Sequence, residues 1–317
     1  ETAIETIKTA KRAGADCIKL QTYTADTITI NSREPDFFIN GTIWEGKNLY
    51  DLYTEAYTPW DWHKTLFQVA KDEGLVCFSS PFDKTAVDFL ENLNTPAYKI
   101  ASFEITDIPL IEYVASKGKP VVISTGVATG EDIELALDAC RRMGNKNVAL
   151  LKCTSSYPAP IEEANMIMVK EISERYGVIT GLSDHTIGST VPLVAICFGA
   201  KIIEKHFIMD RSVGGPDASF SMDEEEFKVM VKAVRETEQA IGVIDYSLTE
   251  KQKKGRELSR SLYVVEDIDA GEVFTEKNVR SIRPGFGMHP KYYQRVIGKK
   301  ACISLKRGTA LSWNHLK

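Results

Sequence analysis

Residues 97–125, AYKIASFEITDIPLIEYVASKGKPVVIST, contain the pattern that decides the fold. Two short apolar runs, at 97–101 and 120–125, flank a segment at 109–117 whose apolar residues recur at helical spacing. A continuous apolar run of this length is typical of a parallel strand that is covered on both faces. The stretch therefore predicts one strand–helix–strand unit of an α/β fold.

The same unit repeats on both sides of this stretch. Apolar runs predict seven strands, at 16–21, 75–79, 97–101, 120–125, 147–153, 178–182 and 201–207. Helical patterns follow them, at 57–73, 84–92, 109–117, 131–143, 161–176, 191–199 and 222–241. This alternation is typical of a (β/α)8 TIM barrel or of an open doubly wound sheet. No GxGxxG motif follows the first run, which weakens the dinucleotide-binding alternative.

The chain opens directly in a further helical pattern, ETAIETIKTAKRAGA, with no strand before it. A closed barrel needs eight strands. We therefore expect a (β/α)8 barrel whose first strand is missing from this chain. The alternative is an open seven-stranded sheet that begins with a helix.

The connection at 22–56 is unusually long and rich in aromatic residues, namely Phe37, Phe38, Trp44, Tyr50 and Tyr53. Long connections in compact domains are usually functional or disordered, and this aromatic content favours order. On a barrel the segment would lie over the carboxyl ends of the strands, where substrates bind.

Composition divides the chain into three parts. Residues 1–242 carry the barrel pattern, 243–258 form a polar, lysine-rich linker or exposed helix, and 259–317 change to short segments with turn signals. The last part predicts a small β-rich domain.

Charge and cysteine usage exclude several classes of protein. A formal net charge of −5 argues against nucleic-acid binding, and no apolar stretch reaches the roughly 18 residues that a membrane span requires. The six cysteines are scattered without a CxxC pair, which is typical of a reducing compartment. We expect a cytoplasmic protein without a membrane partner.

Charged and hydroxyl side chains recur where the predicted strands end. They include Lys19, Gln21, Ser80, Lys99, Ser102, Glu104, Ser124, Lys152, Ser183 and Glu204. Buried lysines are costly unless they are paired, and lysines grouped with serine hydroxyls suit a phosphate. The alternative is that these lysines only pair with strand-end acids such as Glu104 and Glu204.

His185 and His206 end two consecutive predicted strands and would be neighbours in a barrel. Two imidazoles can bind a divalent transition metal, with waters or substrate oxygens as the other ligands. Two loops add weaker signals: Tyr157 follows one strand end, and Asp217 lies in a glycine-rich loop after the last strand.

An ordered series of motifs resembles the sialic acid synthase family. The series is KLQTYTADTITI, FSSPFD, YKIASFE, ISTGVAT, CTSSYPAP, GLSDHTIG, EKHF and GGPDASFS, and DIDAGEVFTEKNVRSIRPGFG resembles that family's antifreeze-like (SAF) domain. The resemblance implies an enzyme that joins phosphoenolpyruvate to an amino-sugar aldehyde and releases phosphate. Residues 37–63 are most similar to the pseudaminate-forming branch, and less to the N-acetylneuraminate and legionaminate branches.

The resemblance also implies individual roles. Phosphoenolpyruvate would be bound by Lys19, Ser80, Lys99, Ser102, Ser124 and Ser183, and the sugar by Gln21, Ser155, Asp217 and Arg283. Glu104 and Tyr157 would be catalytic. His185 and His206 would hold a divalent metal, with Mn2+ preferred and Mg2+ or Co2+ as alternatives. Arg283 would come from the small domain of a second subunit, which implies a domain-swapped homodimer.

Two departures from the family pattern concern the site. Ser155 stands where sialic acid synthases usually carry asparagine, which is consistent with a different sugar. The family's first strand ends with a glutamate and an Asn-His-Asn segment, and this sequence has no counterpart. We therefore expect an incomplete enzyme.

Two other classes of function stay open. A Schiff-base aldolase on the same barrel would use Lys99 or Lys152 as its nucleophile. A carbohydrate- or ice-binding protein would use residues 259–317 and would need none of the lysine, serine and histidine residues.

Overall fold

A computed structural model describes residues 1–317. The chain forms two compact units, Glu1–Gly242 and Val243–Lys317. The first unit contains the strand–helix repeats, and the second contains the region of turns and short strands.

The first unit is built on seven parallel strands that follow one another in chain order. They are β1 (Cys17–Thr22), β2 (Val76–Pro81), β3 (Tyr98–Ile100), β4 (Val121–Ser124), β5 (Val148–Cys153), β6 (Ile179–Asp184) and β7 (Ile202–Lys205). Each lies where an apolar run predicts it, so the predicted barrel-type α/β fold is confirmed. The sheet is curled, so that its first and last strands approach each other: Nζ of Lys19 on β1 lies 2.6 Å from Oε1 of Glu204 on β7. No ladder of hydrogen bonds joins these two edge strands.

Helices connect the strands and cover the sheet. They are α1 (Thr2–Arg12), α2 (Ala25–Ile28), α3 (Leu49–Ala56), α4 (Trp60–Asp72), α5 (Lys84–Asn92), α6 (Ile108–Ala115), α7 (Gly130–Arg142), α8 (Ile167–Tyr176), α9 (Thr190–Cys197) and α10 (Glu224–Ile241). Side-chain caps fix several starts: Thr129 and Asp132 form a capping box on α7, and Asp83 accepts two backbone hydrogen bonds at α5. These caps satisfy amide groups that a first helical turn leaves without partners.

The main core lies between β3, β4 and β5 and the helices that cover them. Tyr98, Ile100, Ile123 and Leu150 are fully buried, and they pack in one cluster with apolar residues of α5, α6 and α7. Burial on both faces is the reason why these strands read as unbroken apolar runs. The core holds the carboxyl ends of the strands, and thus the polar residues that follow them, in fixed positions.

The long connection at 22–56 is ordered through packing against the barrel. It contains α2, α3 and a 3-10 turn at Pro35–Phe37. Tyr23 packs edge-on against Tyr53 and Phe82, with ring centroids 5.6 and 5.1 Å apart. Asn48 caps α3 and also donates to the carbonyl of Ser32.

The second unit begins with a stretch without regular secondary structure and the short helix α11 (Glu250–Gly255), so the predicted linker is partly helical. It continues with β8 (Ser261–Val264) and β9 (Val279–Ile282), which pair antiparallel, and with α12 (Tyr293–Val296). Leu262, Phe274, Val279 and Val296 are fully buried in its own core.

No helix of the chain has both the length and the apolar character needed to cross a bilayer.

Candidate active site

A cavity of about 530 Å³ opens at the carboxyl ends of the strands of the first unit. Its lining brings together most of the predicted site residues: Lys19, Gln21, Ser80, Lys99, Ser102, Glu104, Ser124, Tyr157, Ser183, His185, His206 and Asp217. Ser155 and Arg283 are the two predicted site residues outside this lining. Trp44 and Tyr53 of the long connection line the cavity, whereas Phe37, Phe38 and Tyr50 do not.

The floor of the cavity carries two lysines around one carboxylate. Nζ of Lys19 lies 2.6 Å from Oε1 of Glu204, and Nζ of Lys99 lies 3.8 Å from the same oxygen. Burial alone would raise the pKa of Glu204, but the two lysine charges outweigh it and bring the pKa to about 2. Glu204 is therefore ionised. Sequence reasoning named it only as one possible lysine partner, and the structure makes it the charge that joins both lysines.

Lys99 is the most buried of the cavity's charged groups, with an exposed side-chain fraction of 2%. It donates to Oγ of Ser124 at 2.7 Å and to the carbonyl of Ile100 at 3.2 Å. Burial lowers its pKa to about 8, although Glu204 partly opposes the shift. A desolvated ammonium group of this kind attracts an anion far more strongly than an exposed lysine does.

Two buried polar atoms in the cavity have no hydrogen-bond partner in the protein: Oγ of Ser80 and Oε2 of Glu104. A buried polar group without a partner is costly, and in a native structure it indicates an absent ligand or a functional role. Both atoms belong to residues that line the same cavity as Lys99. The cavity is therefore built to receive a polar molecule.

Burial raises the pKa of Glu104 to about 7. A carboxyl group with this pKa exchanges protons readily near neutral pH, as a general acid or base must. Because the pKa of Glu104 is higher in the folded chain, its stabilising contribution is complete below about pH 4.5 and is lost as the pH rises through 7.

Replacing Glu104 by Gln should therefore flatten the pH dependence of stability. Between pH 5 and pH 8 the wild-type chain should lose about 2 kcal/mol more unfolding free energy than Glu104→Gln, since the amide cannot ionise. Urea unfolding of both proteins at the two pH values measures this. Glu162→Gln changes an exposed glutamate and should behave as wild type. Parallel pH curves for wild type and Glu104→Gln would contradict the assignment.

His185 and His206 lie side by side, with ring centroids 5.2 Å apart. Nδ1 of His185 lies 2.8 Å from the carbonyl oxygen of Thr154, so this nitrogen carries the proton and Nε2 is left as a ligand. A second hydrogen bond of this kind is typical of metal-binding histidines. Burial lowers the pKa of His206, which favours its neutral, ligating form.

The donor set limits what these two histidines can hold. No group of three or more His, Cys, Asp or Glu side chains is arranged to bind a metal ion. Asp217 lies close by, with Oδ2 at 3.4 Å from Nδ1 of His206. Two imidazoles are thus the donors that the chain offers here. They fit a divalent metal whose remaining ligands are oxygen atoms of other molecules.

Cys153 and Gly126 are site residues that sequence reasoning missed. Sγ of Cys153 lies 3.9 Å from Nδ1 of His185. Burial raises the pKa of this thiol, but the contact with His185 outweighs burial and brings the pKa to about 7. At Gly126 a Cβ would lie 2.1 Å from Oγ of Ser155 and 2.7 Å from Oγ of Ser102, so only glycine fits. The glycine in the motif ISTGVAT was the only feature of the sequence that could have indicated this close approach.

Tyr157 links the histidines to the long connection. Its ring lies 4.4 Å from that of His185 and 5.4 Å from that of Trp44, measured between centroids. Nε1 of Trp44 donates to the carbonyl of Pro216 at 3.2 Å, next to Asp217. These contacts join the connection at 22–56 to the loop after β7, as expected for a segment that covers the carboxyl ends of the strands.

The remaining two predicted site residues lie elsewhere. Ser155 is near the cavity, with Oγ 3.9 Å from Sγ of Cys153. Arg283 belongs to the second unit and is exposed.

The fold and the site together define a barrel-type α/β protein with a charged cavity at the carboxyl ends of its strands. Two buried polar atoms of this cavity have no hydrogen-bond partner in the protein. Family models match both units: the NeuB family over residues 6–246 and the SAF domain over residues 259–317. The chain belongs to the NeuB family and carries a C-terminal SAF domain. The predicted resemblance to the sialic acid synthases is confirmed.

Curated relatives differ in how similar they are. Pseudaminic acid synthase of Campylobacter jejuni is 47% identical over 98% of this chain and 91% of its own length. N,N'-diacetyllegionaminic acid synthase of Legionella pneumophila is 32% identical over 99% of this chain and 90% of its own. Among solved structures, the N-acetylneuraminic acid synthetase of Leptospira borgpetersenii in complex with citrate has a TM-score of 0.71 and 27% identity, covering 80% of this chain and 84% of that one.

Proposed function

We propose that this chain condenses phosphoenolpyruvate with 2,4-diacetamido-2,4,6-trideoxy-altrose and water to give pseudaminic acid and phosphate. The carrying observation is the floor of the cavity, which is lined by buried Lys99, half-buried Lys19 and the unpartnered hydroxyl of Ser80. The higher identity to pseudaminic than to legionaminic acid synthase supports this choice of sugar.

The reaction forms one carbon–carbon bond and one carbon–oxygen bond to water, and it breaks the carbon–oxygen bond to phosphate. C3 of phosphoenolpyruvate attacks C1 of the sugar aldehyde, whose oxygen takes up a proton. The cationic centre that results at C2 captures water and loses a proton, and the bond from C2 to the phosphate oxygen then breaks. Phosphate leaves with the electrons of that bond, while the hydroxyl oxygen on C2 forms the keto group and releases its proton, so atoms and charges balance.

The chain's own residues bind both reactants and move the protons. Lys19 and Lys99, with Ser80, Ser102, Ser124 and Ser183, hold the carboxylate and phosphate of phosphoenolpyruvate. Gln21 and Asp217 hold sugar hydroxyls, and Ser155, which lies beside Gly126, also contacts the sugar. Glu104 transfers the protons, because its pKa of about 7 suits both directions of transfer. Burial raises the pKa of Tyr157, so its hydroxyl stays protonated and donates a hydrogen bond.

His185 and His206 would hold a divalent metal, with Mn2+ as our first choice and Mg2+ or Co2+ as alternatives. Such an ion supplies Lewis-acid polarisation of the sugar aldehyde.

We further propose that the working form is a homodimer in which Arg283 of the small domain serves the barrel of the other subunit. Its exposure supports this role. An arginine suits the carboxylate or phosphate of a bound substrate.

Phosphate release from phosphoenolpyruvate tests the proposed reaction. With Mn2+ present, the trideoxy-altrose sugar should support release, and N-acetylmannosamine should support at least about 100-fold less. Treatment with EDTA should abolish release, and added Mn2+ should restore it. Release with N-acetylmannosamine alone would instead assign the chain to N-acetylneuraminate synthesis.

The lowered pKa of Lys99 favours one second candidate, a Schiff-base aldolase, since a buried lysine with a depressed pKa is the usual nucleophile of that class. Borohydride treatment in the presence of pyruvate separates the two mechanisms. A covalent adduct on Lys99 that forms despite EDTA would support the aldolase and overturn the condensation.

A further inference from the structure

The cavity has two chemically different sides. Charged and hydroxyl groups from the strand ends form the floor, and the facing side comes from the long connection at 22–56. That side contributes four large aliphatic side chains, Ile28, Ile39, Leu49 and Leu52, which we call the apolar wall. Two polar groups border it: the hydroxyl of Thr42, which accepts from the amide of Trp44, and that of Tyr53.

The apolar wall is held in one position by contacts at both of its ends. Leu52 is buried on α3, which Asn48 caps, and Tyr53 of the same helix packs against Tyr23, whose ring in turn packs against Phe82 after β2. At the other side, the indole of Trp44 is hydrogen-bonded to Pro216. A rigid wall discriminates between substituents better than a mobile loop, because it does not readjust to a poor fit.

The orientation of a bound sugar follows from where the reaction takes place. Its aldehyde carbon, C1, must lie among Lys99, Glu104 and the two histidines, because those groups carry the charge and the protons. C6 is the opposite end of the sugar chain and therefore faces away from the floor, toward the segment that covers it.

We infer that the apolar wall receives the C6 methyl group of the sugar and so selects 6-deoxy over 6-hydroxy substrates. This inference rests on the proposed function. A methyl group gains favourable burial against Ile28 and Leu52. A hydroxyl group among these aliphatic side chains would lose its water, and the side chains could neither accept nor donate a hydrogen bond in exchange.

The test compares two sugars that differ only at C6, 2,4-diacetamido-2,4,6-trideoxy-altrose and 2,4-diacetamido-2,4-dideoxy-altrose. Wild-type kcat/KM, followed by phosphate release, should favour the 6-deoxy sugar by about 100-fold. Ile28→Thr keeps the branched shape but adds a hydroxyl, and should reduce this preference by about tenfold. Leu52→Asn, which keeps the number and branching of the side-chain heavy atoms, should do the same. Circular dichroism confirms that each variant is folded.

Ile30→Thr is the matched control, because Ile30 is 62% exposed, is two residues from Ile28 and does not line the cavity. It should keep the wild-type preference. Equal kcat/KM for both sugars in the wild type overturns the inference and leaves the proposed reaction intact. An unchanged preference in folded Ile28→Thr and Leu52→Asn also overturns it. Release with neither sugar overturns the proposed reaction and this inference together.

Discussion

Replacing Lys99 by Met should lower kcat/KM for phosphoenolpyruvate by about 100- to 1,000-fold. Lys99 is buried at the floor of the cavity, and its ammonium group contacts Ser124, a backbone carbonyl and Glu204. A charge in such a desolvated place contributes much more to anion binding than a surface charge does. Methionine fills a similar volume, so the change removes the charge and leaves little empty space.

Steady-state phosphate release and calorimetric titration with phosphoenolpyruvate measure the effect of Lys99→Met. Lys152→Met is the matched control, since Lys152 also ends a strand but donates to Cys153 and Thr154 and does not line the cavity. It should stay within about threefold of wild type, as expected for a residue outside the binding surface. Equal losses in the two variants would mean that Lys99 has no special role.

Replacing Lys205 by Met should destabilise the fold by about 3–5 kcal/mol. Nζ of Lys205 lies 2.9 Å from Oδ2 of Asp184, and the two side chains are only 1% and 2% exposed. Thr186 donates twice to the same carboxylate, from its amide and from its hydroxyl. Removal of the lysine would leave Asp184 as a buried charge without a counter-ion, which is far more costly than losing the pair as a whole.

Urea unfolding measures this loss, and Asp184→Asn/Lys205→Met should recover most of it because the carboxylate is then also removed. Arg33→Met is the control: Arg33 lies 2.6 Å from Asp51, but the two side chains are 59% and 55% exposed. Breaking that surface pair should cost at most about 1 kcal/mol. If the buried and exposed variants lost the same free energy, burial would not govern the strength of these pairs.

Asp184 and Lys205 also show how the sheet arranges the site. Successive side chains of a strand point to opposite faces. Ser183 and Glu204 line the cavity, whereas their neighbours Asp184 and Lys205, which are direct partners across β6 and β7, do not. The buried ion pair therefore fixes the register of the two strands that lead into His185 and His206.

The sequence was sufficient to predict the strands and most of the cavity lining. Buried parallel strands read as unbroken apolar runs, and the end of each run places the next polar residues at one face of the barrel. Lys19, Lys99, Glu104 and His206 could be found in this way, because each follows directly from a strand position.

Features that depend on distant contacts could not be predicted. α2 and α3 lie in a segment without helical periodicity, and packing of Tyr53 against Tyr23 stabilises them. The lowered pKa of the Cys153 thiol arises from His185, which lies 32 residues further along the chain. The sequence also could not show that the two strand-end glutamates have different partners. Glu204 pairs with both lysines, whereas Glu104 has a carboxylate oxygen without any partner.

The contact between the first and last strands of the sheet has a consequence for the floor of the cavity. Nζ of Lys19 on β1 lies 2.6 Å from Oε1 of Glu204 on β7, and no ladder of backbone hydrogen bonds joins these two strands. Residues of both strands also line a second cavity of about 640 Å³. A side-chain ion pair, and not the backbone, therefore connects the two strands, so the position of Lys19 in the cavity depends on Glu204.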